Sequence, residues 1–309
     1  VPETTPPREP LARGLLFGIG AYGIWGLLPV FFLFLAPAGA VEIVGWRVLL
    51  SLVFCAILLT VTRGWGRFTA ILRNRRTSLV MGVAGVVILI NWLVYVYATL
   101  SGHVVEAALG YFINPIVTVL LGVFVLHERL RAAQWVAIGI SALAVILLAV
   151  NYGSFPWIAL ALAFSFGSYG LIKKRVGGQV DAISGLTIET LWLSPVALVM
   201  LIAVGASSGL TFGTISPGHT TAMLLTGIVT AIPLLLFAAA ARRLPLTYLG
   251  LTQYLTPVLQ FLVGVFLLGE DMPPARWAGF ALIWAALIVL TVDMFLAGRS
   301  GRRAARLLR

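Results

Sequence analysis

Tyr111–Trp135 reads YFINPIVTVLLGVFVLHERLRAAQW, and Gln253–Trp277 reads QYLTPVLQFLVGVFLLGEDMPPARW. The two stretches align without a gap, from Trp135 to Trp277, at a displacement of 142 residues. Identities fall at Pro115/Pro257, Leu120/Leu262, Gly122/Gly264, Val123/Val265, Phe124/Phe266, Leu126/Leu268, Glu128/Glu270, Ala133/Ala275 and Trp135/Trp277. Apolar segments resemble one another by composition, but composition alone does not align a Pro, a Gly, a Glu and a Trp in one register. A weaker match sets AYGIWGL (21–27) against SFGSYGL (165–171), so that Tyr22 faces Phe166 and Trp25 faces Tyr169. The chain therefore reads as two related halves.

Around this repeat, 61% of the 309 residues are hydrophobic and 10% are charged. A soluble domain carries about 25% charged residues, so most of this chain has the bilayer as its solvent. Apolar runs long enough to cross a membrane, about 20 residues each, fall at 13–35, 41–62, 79–98, 104–126, 133–150, 154–172, 182–204, 220–241, 245–268 and 275–297. The expectation is an all-α polytopic membrane protein of about ten transmembrane helices. Residues 1–12 read as a disordered tail, 13–150 as the first five-helix repeat, 154–297 as the second and 298–309 as a basic tail.

The loops give the orientation. Arg8 and Arg13, then Arg63, Arg67, Arg73, Arg75 and Arg76, then Arg129 and Arg131, then Lys173, Lys174 and Arg175, then Arg242 and Arg243 fall in alternate connections. The connections between them carry no Lys or Arg until Arg276, at the edge of the acidic GEDMPPAR. Basic loops stay in the cytoplasm, which puts both termini there and the protein in the inner membrane. The net charge of +11 then belongs to the loops, and nucleic acid is not the expected partner. An odd number of spans per half inverts one half relative to the other: the Glu128 loop is basic and the Glu270 loop acidic. Inverted repeats are a mark of secondary transporters.

Ionisable groups inside spans are costly and need partners. Arg47, Glu106 and Glu189 are the candidates for ion or proton coupling, with Glu42 at a span mouth and Asp293 close to a membrane interface. Depth allows an Arg47–Glu106 or an Arg47–Glu42 pair, and Lys173 or Lys174 can reach Glu189. The displacement that aligns the halves also aligns Arg47 with Glu189. Pro115, Pro233 and Pro257 interrupt spans and free backbone carbonyls at membrane depth; they are the candidate helix breaks. Polar and aromatic residues near them are the candidate substrate-binding set: Tyr22, Trp25, Asn91, Trp92, Tyr95, Tyr111, Asn114, Phe166, Tyr169, Gln253, Tyr254 and Thr256. Tyr and Trp join apolar faces to hydrogen-bonding tips and suit a pocket for small amphiphilic molecules. The bland alternatives are core packing, an interfacial aromatic belt and structural ion pairs. One cysteine, Cys55, and three scattered histidines, His103, His127 and His219, suggest neither a disulfide nor a metal site, and no cofactor is expected.

The runs 91–130, 165–175, 186–195, 230–237 and 249–257 resemble RarD-type permeases of the EamA family, in the drug/metabolite transporter superfamily. The likeness extends from about Arg13 to Leu296, and GYFINP followed by HERL is its most specific part. It implies ten helices as two inverted repeats, a central cavity between the halves and a proton-linked or facilitated carrier. The expected function is that of an alternating-access permease or exporter for a small organic metabolite or drug-like molecule. No Walker-type phosphate loop, HExxH or GxSxG is present, which leaves a membrane-embedded enzyme weakly supported. A facilitative channel or a scaffold protein is the other alternative. A monomer contains both halves and suffices.

Overall fold

The computed structural model describes residues 8–126, 130–152, 155–176, 179–241, 243–244 and 252–307. The first half supplies α1 (Arg8–Leu33), α2 (Ala40–Val61), a short α3 (Trp65–Arg73), α4 (Arg75–Leu100), α5 (Val104–Leu126) and α6 (Ala132–Tyr152). The second half supplies α7 (Trp157–Val176), α8 (Ala182–Ser207), α9 (Pro217–Ala241), α10 (Leu255–Leu262) and α11 (Pro274–Leu307). A π-helical turn, Val263–Leu267, continues α10.

Eight of the described helices are long and apolar enough to cross a membrane, and two shorter apolar helices occupy Trp157–Lys173 and Leu255–Leu267. Large apolar side chains remain exposed along single helix faces: Val53, Ile57 and Val61 on α2, and Leu143, Ile146 and Val150 on α6. In water such stripes would be intolerable; in hydrocarbon they are the solvated face. The chain is a multi-pass membrane protein.

Three features depart from the span count. The loop expected after the second span contains α3, where Trp65, Phe68, Ile71 and Leu72 alternate with Arg67 and Arg73. That spacing gathers the apolar side chains on one face, the pattern of a helix lying at a membrane interface. The lead-in expected to be disordered is helical from Arg8, and the basic C-terminal segment is helical as far as Leu307.

The broadest helix contacts run between the halves rather than within them: α5 on α7, α2 on α8, α6 on α11, α1 on α9 and α2 on α9. Exchanging each helix for its repeat partner turns every one of these contacts into one that is also present. The α1–α9 contact becomes α7–α4, α5–α7 becomes α10–α1, and α2–α9 becomes α8–α4, all of which are present. Two glycines at the repeat displacement allow the close crossings. A Cβ on Gly227 of α9 would lie 2.5 Å from the Leu50 carbonyl oxygen of α2. A Cβ on Gly85 of α4 would lie 3.2 Å from the Glu189 carbonyl oxygen of α8. Helix starts repeat too. Asn74 caps α4 by accepting from Thr77 N at 3.1 Å, and Ser216, its repeat partner, accepts from His219 N at 3.1 Å beside α9. Each side chain takes up an amide that the first helical turn leaves without a partner.

For orientation, the face where α1 begins, with α3 and the end of α7, is called the basic face. The face where α2, α5, α7, α9 and α11 begin is the opposite face.

Candidate functional site

Arg47 is the eighth residue of α2, about 10 Å in from the opposite face at 1.5 Å per residue, and only 4% exposed. Its Nε donates to Thr230 Oγ1 of α9 at 2.7 Å. Its guanidinium carbon lies 4.4 Å from the Trp92 ring centroid and 5.6 Å from that of Phe32. Nη1 has no hydrogen-bond partner. Among the described residues there are two salt bridges, Arg131–Asp293 and Lys173–Glu189, and Arg47 is in neither. A cation–π contact offsets part of the cost of burying a charge, but a bare guanidinium at this depth still lacks a counter-ion.

A hydrogen-bonded shell surrounds it. Tyr111 donates its hydroxyl to Asn91 Oδ1 at 3.1 Å, and Asn91 Nδ2 donates to Ser165 Oγ at 3.0 Å and to the Leu162 carbonyl at 3.2 Å. Gln260 of α10 donates from Nε2 to the Tyr95 hydroxyl at 2.8 Å and to the Trp25 carbonyl at 3.3 Å. Thr256 donates to the Tyr22 carbonyl at 2.8 Å. Two acceptors, Gln260 Oε1 and Asn114 Oδ1, are buried with no partner. The shell thus draws on both halves, with α1, α2, α4 and α5 meeting α7, α9 and α10.

Glu189 occupies the repeat-equivalent place. It is the eighth residue of α8 and 1% exposed. Here the charge is paired: Lys173 Nζ donates to Oε1 at 2.8 Å and the Tyr169 hydroxyl to Oε2 at 3.2 Å. A file of rings joins the two charged centres. Centroid separations are 5.7 Å for Tyr95–Tyr111, 5.8 Å for Tyr111–Phe166 and 6.2 Å for Phe166–Tyr169. Tyr22 and Trp25 pack together and against Phe237 of α9.

The anticipated partners of Arg47 are elsewhere. Glu42 accepts from Thr211 N at 2.8 Å, Phe212 N at 3.0 Å and Thr211 Oγ1 at 3.0 Å. Glu106 accepts from Ile158 N at 3.1 Å, at the start of α7. Neither the Arg47–Glu42 nor the Arg47–Glu106 pair forms. The physical reason is that unpaired amides at helix starts and turns are ready donors for a carboxylate, helped by the helix dipole. Glu270 does the same, accepting from Val104 N at 2.5 Å and Val105 N at 3.0 Å at the start of α5. Asp293 pairs with Arg131. Glu128 and His127, on the repeat-equivalent loop, lie outside the described residues.

The matched prolines also differ. Pro115 sits within a continuous α5, whereas Pro257 falls in the first turn of α10, where a missing amide costs nothing. Pro233 lies inside α9, one turn beyond Thr230. Tyr254 packs against a second apolar core, separate from the one that contains Phe32 and Trp92. Gln253 is half-buried in the turn before α10 and is not part of the hydrogen-bonded shell. Sequence reading missed Gln260, Thr230 and Ser165. The available signal was a glutamine in the apolar repeat, opposite Thr118 in the other half.

Two related halves closing on a buried polar centre define the class of two-repeat membrane transporters. Residues 12–150 and 155–292 each match the EamA-like transporter family, and the chain belongs to that family. It is 49% identical over 289 residues to Protein RarD of Streptomyces exfoliatus, covering 94% of this chain and 91% of that protein. It is 38% identical over 300 residues to an uncharacterized transporter of Vibrio cholerae, covering 97% and 99%. A solved crystal structure matches with a TM-score of 0.56 at 20% identity, covering 91% of this chain and 97% of that one, which supports the fold. The protein is a membrane transporter.

Proposed function

We propose that the chain is an alternating-access secondary transporter for a small organic molecule, and that the molecule binds in the shell around Arg47. The observation that carries this reading is a buried guanidinium with a free Nη1, enclosed by helices of both halves. A group at that junction is reached from one side or the other as the halves rock, while the repeat-related packing makes the two states alike in energy. The basic face is read as cytoplasmic, with both termini there, in the inner membrane. Glu106 is bound to backbone, so proton coupling is assigned to Glu189, whose protonation would release Lys173. The transporter names of the relatives favour this reading over an enzymatic one.

The test is uptake of a metabolite panel into proteoliposomes, with and without a pH gradient. Saturable uptake that is lost in Arg47→Gln supports the site, and saturable uptake unaffected by it removes the site. Gradient-driven uptake that is unchanged in Glu189→Gln removes the coupling role.

A further inference from the structure

The atoms left free around Arg47 narrow the chemistry of what binds there, and the inference rests on the transport reading above. Among the described residues, the acidic side chains within the spans and at their ends are already committed. Lys173 holds Glu189 and Arg131 holds Asp293, while Glu42, Glu106 and Glu270 are held by backbone amides. Among the described residues, the only side-chain acceptor on the guanidinium is the neutral Thr230 hydroxyl. The guanidinium carbon sits over the Trp92 ring, 4.4 Å from its centroid. What remains is approach in the plane, at the edge bearing Nη1, which is the geometry of a carboxylate on an arginine fork. A neutral ligand would leave the buried charge uncompensated.

The second free atom has a defined polarity. The Trp25 carbonyl can only accept, so the Gln260 nitrogen is the atom facing it, and Oε1 is left as a bare acceptor. Gln260 is 1% exposed. It is linked to the arginine through Tyr95, which it holds at 2.8 Å and which packs on Phe32, one of the rings under the guanidinium. We propose that the substrate is a small organic anion whose carboxylate pairs with the free edge of Arg47 and whose own N–H or O–H group donates to Gln260 Oε1. The surrounding rings of Tyr95 and Tyr111 suit an aromatic or unsaturated body.

The test compares carboxylates with their carboxamides of matched size, 4-hydroxybenzoate against 4-hydroxybenzamide and phenylalanine against phenylalaninamide. Thermal shift and tryptophan fluorescence are read on the full chain in nanodiscs, and sodium chloride and inorganic phosphate serve as controls. At least one carboxylate is expected to bind about tenfold or more tighter than its amide, the size of a charge-assisted hydrogen bond. Arg47→Gln should erase that preference. Gln260→Glu places a second carboxylate at the site and should weaken the anion in a chain that keeps its arginine, which guards against misfolding of the first variant. Equal binding of acid and amide, no response to any carboxylate at millimolar concentration, a response to chloride or phosphate alone, or a preference that survives Arg47→Gln each overturns the proposal. Counterflow in proteoliposomes separates the two readings. Selective binding without counterflow sinks the transport reading and keeps the ligand class, whereas saturable counterflow of amides and acids alike does the reverse.

Discussion

Arg47 and Glu189 hold the same position in α2 and α8, the eighth residue of each helix. The halves are inverted, so the two charges enter from opposite faces. Their fates differ. Glu189 has Lys173, whose side chain is 30% exposed and reaches it from the end of α7. Among the described residues, Arg47 has only Thr230 and two rings. Repeat symmetry supplied two equivalent buried places; only one was closed by an internal partner. The unpaired place is the one expected to meet the substrate, and the paired one holds two helices of the second half together.

The largest effect should come from removing each charge. Arg47→Leu deletes a buried ion that has no counter-ion among the described residues, so the thermal midpoint of the empty protein should hold or rise while uptake is lost. Stabilisation gained at the expense of function is a usual sign of a binding site. A clear fall in the midpoint would mean that Thr230 and Trp92 already satisfy the guanidinium. Lys173→Ala acts in the opposite direction, because it strands a carboxylate that is almost wholly buried. Breaking a buried pair costs about 3–5 kcal/mol, with the lower end expected because Lys173 is partly exposed. Glu189→Gln should cost less, since Lys173 can turn to the headgroups. Unfolding midpoints of the two variants in one detergent give the order directly, and equal values would erase the contrast.

A second repeat pair sharpens the same comparison. An added methyl at Gly227 meets the Leu50 carbonyl oxygen at 2.5 Å, while one at Gly85 meets the Glu189 carbonyl oxygen at 3.2 Å. Backbone cannot swing aside as a side chain can. Gly227→Ala should therefore destabilise by about 1–3 kcal/mol and Gly85→Ala by less. Equal midpoints for the two variants would show that the α2–α9 crossing yields as readily as the α4–α8 one.

How much of this could be read beforehand follows from what each feature leaves in a sequence. The repeat, the inversion and the equivalence of Arg47 with Glu189 needed only matched residues and loop charge. Asn91 and Tyr111 stood out because polar groups are rare in such helices, and they are found bonded to each other. Thr230 did not stand out because its repeat partner, Ile88, is apolar, and Gln260 was passed over although Thr118 stands opposite it in the other half. The carboxylates misled for a different reason. Their partners are backbone amides at helix starts and turns, and an amide has no residue identity to read. The helix α3 was hidden in a basic loop because its apolar residues are too few for a span.

Those backbone partners carry the smallest prediction. Glu270 lies between the last two apolar helices and ties the second half to the start of α5. Burial pushes its carboxyl up from the ordinary value, against the Val105 and Val104 amides and the charges of Arg276 and His103, which pull it down. The sign follows from the raised value. The stability this group contributes is complete at acid pH and falls as pH rises through its titration. Glu270→Gln keeps an acceptor for one amide and removes the titration. It should cost a few tenths of a kcal/mol to about 1 kcal/mol, within the range for a weakened cap, and flatten the midpoint-against-pH curve in the mildly acidic range. Glu42→Gln serves as the comparison, since Glu42 joins the halves through Thr211 and Phe212 in the same way. A curve that flattens equally in both variants would assign the pH dependence to the opposite face as a whole rather than to the cap on α5.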